Sequence, residues 1–158
     1  MTNSIKVGDS MPSFSIHDDE GIEIDSQDLL GSPFVLYFYP KDDTPSCTLE
    51  ACSFRDNFEK LDELNTMVIG VSPDSAESHA NFRHKFGLNF TLFCDHQLEL
   101  ARKFDAVQEK EVDGKKKLAI LRSTFIIDSS GIIRWIEKPV SVEGHIERVL
   151  AAVRQNIK

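Results

Sequence analysis

The sequence predicts an α/β fold in which a central mixed sheet carries helices on both faces and an N-terminal β-hairpin extension. Three observations predict it. Two short apolar runs, residues 34–39 and 66–71, read as strands buried on both faces. Each is followed by a stretch whose apolar residues recur at helical spacing. The chain then closes on two strands around a turn and a final helix.

Residues 13–17 and 22–24 read as short strands around the turn Asp18-Asp19-Glu20-Gly21. Residues 34–39 are bounded by Gly31-Ser32-Pro33 and by Pro40, which fixes the ends of that strand. From Cys47 to about Leu64, the residues Leu49, Phe54, Phe58, Leu61 and Leu64 predict one helix. Residues 66–71 are the next strand. Residues 75–86 form a helix after Pro73 with acidic residues in its first turn. Residues 90–94 read as a strand and 97–104 as a short helix. Residues 118–120 and 124–128 are β-rich, and Asp128-Ser129-Ser130-Gly131 turns the chain into 132–137. A helix over 141–155 carries the stripe Val142, Ile146, Val149, Leu150 and Val153, with Ser141 as its expected N-cap. This order is thioredoxin-like, and two crossover helices imply a sheet covered on both faces.

At 158 residues, the chain is long enough for one domain, 1–158, with a substantial core. Its net charge of −8 argues against a nucleic-acid or anionic-membrane partner. The longest fully apolar run, residues 34–39, is far too short to span a bilayer. The first ten residues contain no apolar stretch, so no cleaved leader is expected. Three cysteines make an odd and small set for a secreted disulfide framework. The expectation is a cytoplasmic protein whose thiols are free and whose disulfides, if any, are transient.

The chemistry concentrates in Pro40-Lys41-Asp42-Asp43-Thr44-Pro45-Ser46-Cys47-Thr48-Leu49-Glu50-Ala51-Cys52. Cys47 stands near a helix start, where unpaired N–H groups and the helix dipole favour a thiolate, the nucleophilic form. A small buried hydrophobe is the plain alternative for such a thiol. Cys52 follows five residues later. On an intact helix that spacing rotates about 140° and rises about 7.5 Å, so the two Cα atoms lie about 8.7 Å apart. A disulfide tolerates no more than about 7 Å. The pair therefore cannot bond unless the first turns of the helix unwind. No cofactor and no metal are expected. The cysteine spacing is wrong for zinc, and His17, His79, His84, His96 and His145 are scattered, which reads as surface or satisfied core.

The segment from Phe38 to Asp56 resembles the peroxiredoxins, and within them the bacterioferritin-comigratory, or Q, subgroup. Their Pro-x-x-x-Thr-x-x-Cys signature is complete as Pro40, Thr44 and Cys47. The likeness extends to the stretches from Lys6 to Phe14, Val68 to Ser72 and Gly144 to Leu150. It implies a thioredoxin fold and reduction of hydrogen peroxide and organic hydroperoxides, with electrons from thioredoxin or a similar dithiol protein. It assigns Cys47 as the peroxidatic cysteine and Cys52 as the resolving one. Thr44 would hydrogen-bond the thiolate and the peroxide, Pro40 would shield the site from water, and Arg122, on a later strand, would be the site arginine. Glu50 would orient the polar groups around Arg122. A fixed guanidinium suits the reaction, because negative charge develops on the leaving oxygen.

Two positions depart from the subgroup. Ser46 stands where glycine is usual, and Cys94 where serine is common. Cys94 is expected to be a buried strand-end thiol. With both working cysteines on one helix, a monomer suffices. Two other functions use the same fold: a general thiol–disulfide oxidoreductase, for which the usual Cys-x-x-Cys is missing, and a redox sensor, for which no appended domain or basic patch is present.

Overall fold

The computed structural model describes residues 5–157. Met1–Ser4 and Lys158, and with them part of the reading that no leader begins the chain, lie outside the described residues. The strands are β1 (Ser15–Asp18), β2 (Glu23–Asp25), β3 (Phe34–Phe38), β4 (Met67–Ser72), β5 (Thr91–Cys94), β6 (Val107–Val112), β7 (Lys115–Ile120), β8 (Ser123–Ile127) and β9 (Ile133–Glu137). The helices are α1 (Pro45–Asp56), α2 (Phe58–Glu63), α3 (Ala76–Phe86), α4 (Glu99–Lys103) and α5 (His145–Asn156). Among the described residues no helix is long and apolar enough to cross a membrane.

Seven strands form one mixed sheet in the order β2-β1-β5-β4-β3-β8-β9. β3 pairs parallel with β4, and β4 with β5, across the expected crossover helices. The other pairings are antiparallel, and the β1–β2 hairpin extends the sheet beyond β5. β3 is buried throughout, and its alternation builds both cores. Val35, Tyr37 and Tyr39 face Cys47, Ala51 and Phe54 of α1, Phe82 of α3 and Val149 and Val153 of α5. Phe34, Leu36 and Phe38 face Leu100 and Ala101 of α4, Phe104 and the N-terminal residue Phe14. Gly70 on β4 leaves room for Tyr37, since a Cβ there would stand 3.0 Å from the phenol oxygen.

Four details differ from the sequence reading. The helix expected over 47–64 is two helices, broken at Asn57, whose side-chain amide donates to the Ser53 carbonyl. The inward face of α1 is Cys47, Glu50, Ala51 and Phe54, at i, i+3, i+4 and i+7. Leu49, read as part of the apolar stripe, is 64% exposed because Glu50 takes the inward position instead. The last helix starts at His145, since Gly144 has φ 72 and cannot be helical. Ser141 is therefore not its N-cap; the Ser141 carbonyl accepts from Arg148 at 2.6 Å. Finally, β6 and most of β7 form a separate two-stranded ribbon that was not foreseen. Its residues are mostly charged and exposed, so no apolar periodicity marked it. The signal was Asp113-Gly114, a two-residue hairpin turn with both φ positive.

Candidate active site

α1 begins where the sequence dictates. Thr44 is extended, and Pro45 occupies the first helical position, where its missing N–H removes a donor that would have had no partner. Cys47 is the third helical residue, among the free N–H groups of the first turn. Its side chain is only 2% exposed. Cys52 lies on the same unbroken helix, half-buried, and both thiols are free.

Arg122 approaches from the other side. It sits in the two-residue junction between β7 and β8, not on a strand as expected. The antiparallel register pairs Phe38 with Ser123, which puts Arg122 just past the C-terminal end of β3, facing the start of α1. One guanidinium nitrogen donates to Glu50 Oε1 at 2.6 Å, and the other donates to Cys47 Sγ at 3.3 Å. Burial works against the charge on Arg122, but Glu50 and then Cys47 outweigh it and raise its pKa.

Glu50 is 1% exposed. Burial, opposed by Arg122, pushes its carboxyl from 4.5 up to about 7. Among the described residues only one of its oxygens is paired; Oε2 has no hydrogen-bond partner there. The buried Tyr37 hydroxyl is likewise unpartnered. Its pKa is raised by burial first and by Glu50 second.

The other expected residues are placed less directly. Thr44 donates its hydroxyl hydrogen to the Lys41 carbonyl at 2.9 Å, not to Cys47, and does not cap α1. Its oxygen keeps lone pairs to accept from a substrate. Pro40 lies two residues past the end of β3 and is exposed; the buried residue of the loop 40–44 is Asp42. Ser46 is exposed at the second helical position. Cys94 is half-buried rather than buried, 3.5 Å from the Asp18 carbonyl. Burial and then Asp19 and Asp18 push its thiol up to about 11.

Two histidines matter that the sequence reading set aside as scattered. His145, at the start of α5, is buried; Nε2 lies 2.9 Å from Thr124 Oγ1 and Nδ1 lies 3.4 Å from Glu50 Oε2. Burial lowers its pKa to about 4. His79 is buried between Asp42, at 2.7 Å, and the Phe93 carbonyl, at 2.9 Å. Asp42, Asp74 and His79 bring possible metal-ligand atoms within 4.8 Å of one another. Those atoms are already engaged by one another and by Tyr39, Ser72 and Ser78. No spacing rule links Asp42 to His79; the fold alone brings them together.

A thiol at a helix start, paired with a partly buried guanidinium, is an arrangement that could attack an electron-poor atom and stabilise the anion that leaves. The chain belongs to the AhpC/TSA family, whose family model matches residues 7–136. It is 41% identical to peroxiredoxin Bcp of Bacillus subtilis over 151 residues, covering 96% of each chain. It is 35% identical to peroxiredoxin Bcp of Escherichia coli over 154 residues, covering 98% of this chain and 99% of that one. The structure superposes on peroxiredoxin Q of Xanthomonas campestris with a TM-score of 0.87, at 37% identity and 92% coverage of both chains. The Cys47→Ser form of the Xylella fastidiosa Q protein gives 0.90, at 31% identity and 99% coverage of both. Within the family the chain stands among the Bcp, or Q, peroxiredoxins, and it is a thiol-dependent peroxidase.

Proposed function

We propose that Cys47 is the peroxidatic cysteine, that Cys52 resolves it within the same chain, and that Arg122 and Glu50 form the polar frame of the reaction. The observation that carries this reading is the division of Arg122 between Glu50 Oε1, at 2.6 Å, and Cys47 Sγ, at 3.3 Å.

In the first step the Cys47 thiolate attacks the terminal oxygen of a hydroperoxide in line with the O–O bond. The S–O bond forms as the O–O bond breaks, and the electron pair leaves on the distal oxygen, which is protonated to water or an alcohol. Cys47 is left as a sulfenic acid. Arg122 faces the region where that charge develops, and the free N–H groups of the first turn of α1 add to it. Thr44 accepts the hydrogen of the peroxide hydroxyl. In the second step the Cys52 thiolate attacks the sulfenic sulfur, water leaves and the disulfide forms. A dithiol protein then reduces the disulfide and carries the two electrons away as its own disulfide.

α1 is unbroken from Pro45 to Asp56, so its first turns must open before Cys52 reaches Cys47. Opening withdraws Glu50 from Arg122, which separates a peroxide-reducing state from a disulfide-forming one. We assign organic hydroperoxides beside hydrogen peroxide as substrates. A solved structure of the bacterioferritin comigratory protein of Xanthomonas campestris, 36% identical, concerns alkyl peroxide reduction. Thioredoxin or a similar dithiol is the proposed reductant. Residues 1–158 are proposed to act as one domain, a cytoplasmic monomer with Pro40 shielding the site loop.

The test is peroxide consumption by the purified protein with thioredoxin, thioredoxin reductase and NADPH. Cys47→Ser should abolish turnover. Cys52→Ser should reduce peroxide once and stall as the sulfenic acid. Equal rates for the wild type and Cys47→Ser would remove Cys47 from the reaction.

A further inference from the structure

Among the described residues Glu50 Oε2 is a buried carboxylate oxygen with no hydrogen bond, and the Nδ1 atom of His145 lies 3.4 Å from it. Leaving a buried carboxylate oxygen unpaired forfeits the hydrogen bonds that water would give it in the unfolded chain. The imidazole is held in place on three sides. Its Nε2 contacts Thr124 Oγ1 at 2.9 Å, its ring packs perpendicular to Phe54 with centroids 5.6 Å apart, and its backbone begins α5. Thr124 lies two residues beyond Arg122, so His145 touches both sides of the Arg122–Glu50 pair: the carboxylate from α1 and the start of β8, the strand that follows the arginine.

We propose that His145 is a positioning residue that supplies the missing partner of Glu50 in both of its protonation states by changing tautomer, and so keeps Arg122 aimed at Cys47. The proton inventory closes. When Glu50 is ionised, the neutral ring carries its hydrogen on Nδ1 and donates it toward Oε2, while the Thr124 hydroxyl donates to Nε2. When Glu50 takes up a proton, its O–H donates to Nδ1, the ring hydrogen moves to Nε2, and Nε2 donates to the Thr124 oxygen. The ring stays neutral in each state, and one proton added to the cluster leaves both Glu50 Oε2 and His145 Nδ1 with a partner.

The groups facing this cluster fit that role. Arg122 and Glu137 act on Glu50 from the β7–β8 junction and from β9, Cys47 lies on the same face of α1, and Tyr37 contributes from β3. Glu137 is held by two hydrogen bonds from Arg148, at 2.7 and 2.8 Å, so its charge is largely compensated. Burial keeps His145 neutral down to about pH 4 while Glu50 titrates near 7. Glu50 therefore changes charge in the physiological range, and a neutral, two-way partner is what such a carboxyl needs.

The proposal rests on the roles given to Cys47, Arg122 and Glu50 above, but its test needs no turnover, so the two can fail separately. In the reduced wild-type protein with ¹⁵N-labelled histidine, NMR should report His145 as the Nδ1–H tautomer at pH 8.5 and as the Nε2–H tautomer at pH 5.5. The change should track titration of the Glu50 carboxyl carbon and vanish in Glu50→Gln. A single tautomer across that range would overturn the proposal. Two substitutions separate the ring nitrogens, because an Asn amide nitrogen overlays Nδ1 and a Gln amide nitrogen overlays Nε2. His145→Gln should raise the Glu50 midpoint by about one unit, a tenfold change in its ionisation ratio at pH 7. His145→Asn should restore it to the wild-type value. Equal midpoints in the two variants would reduce His145 to a packing role.

Discussion

Two buried carboxylate–imidazole pairs flank the start of α1, and they are finished differently. In the Asp42–His79 pair every atom is engaged. Asp42 accepts from Tyr39 at 2.6 Å, from Ser78 at 2.8 Å and from His79 at 2.7 Å, and its own N–H donates to Asp74. His79 must donate from Nε2, since the Phe93 carbonyl can only accept, and the carboxylate then favours a second hydrogen on Nδ1. Burial opposes that charge, but the hydrogen bond and charge of Asp42 outweigh it and raise the His79 pKa. In the Glu50–His145 pair one carboxylate oxygen is open, the ring is neutral, and the arginine is shared with a thiol. The first pair is a brace that ties the 40–44 loop to α3. The second is left adjustable where the reaction changes the charge beside it. A fold can thus use the same two side-chain types to fix one end of a site and to leave the other end free to respond.

The largest expected effect breaks the brace. His79→Leu strands the Asp42 charge and should cost about 3–5 kcal/mol in urea unfolding. It should also remove a pH dependence. His79 has a raised pKa, so its contribution is complete below about 6.5 and is lost as pH rises through its folded-state value. The wild-type Tm should fall over that alkaline window, and the His79→Leu Tm should not. The second pair should add little slope between about pH 4.5 and 6.5. There the folded state carries one proton on Glu50, and the unfolded state carries one on the histidine. A steep Glu50-dependent slope in that range would erase the contrast.

Next in size, Arg122→Met should lower kcat/KM for peroxide by about 10²–10³, the usual loss of a preorganised donor to a developing anion. A drop below about fivefold would mean that the helix N–H groups suffice. Ser46→Gly should weaken the second helical position by about 0.5 kcal/mol and speed disulfide formation about twofold in rapid-mixing experiments. An unchanged rate would place the barrier deeper in α1. Smallest of all, Cys94→Ser should leave peroxide turnover unchanged. With its thiol pushed up to about 11, Cys94 is almost wholly protonated at pH 7 and should be the slowest of the three to react with iodoacetamide.

The sequence made the frame of this comparison legible and hid its contents. Strand β3 stood out because six apolar residues run between two breakers, and Cys47 because Thr44 and Pro45 announce a helix start. Glu50 was tied to Arg122 only through the family resemblance, because helical spacing alone reads it as a first-turn acid; the fold places it facing inward and paired with that arginine, 72 residues away. Asp42 and His79, 37 residues apart, and Glu50 and His145 carry no mutual spacing signal; sheet register and crossover packing bring them together. The β6–β7 ribbon was missed for the opposite reason. Its strands are charged, and only Asp113-Gly114 marked the turn.

Cys47 and Cys52 stand five residues apart along an unbroken helix, so a bond between them requires the helix to open. The most direct test is non-reducing mass mapping of the protein before and after one equivalent of peroxide. The expected result is the loss of two hydrogens within a single chain, localised to a Cys47–Cys52 disulfide. A disulfide-linked dimer, or a bond from Cys47 to Cys94, would contradict it.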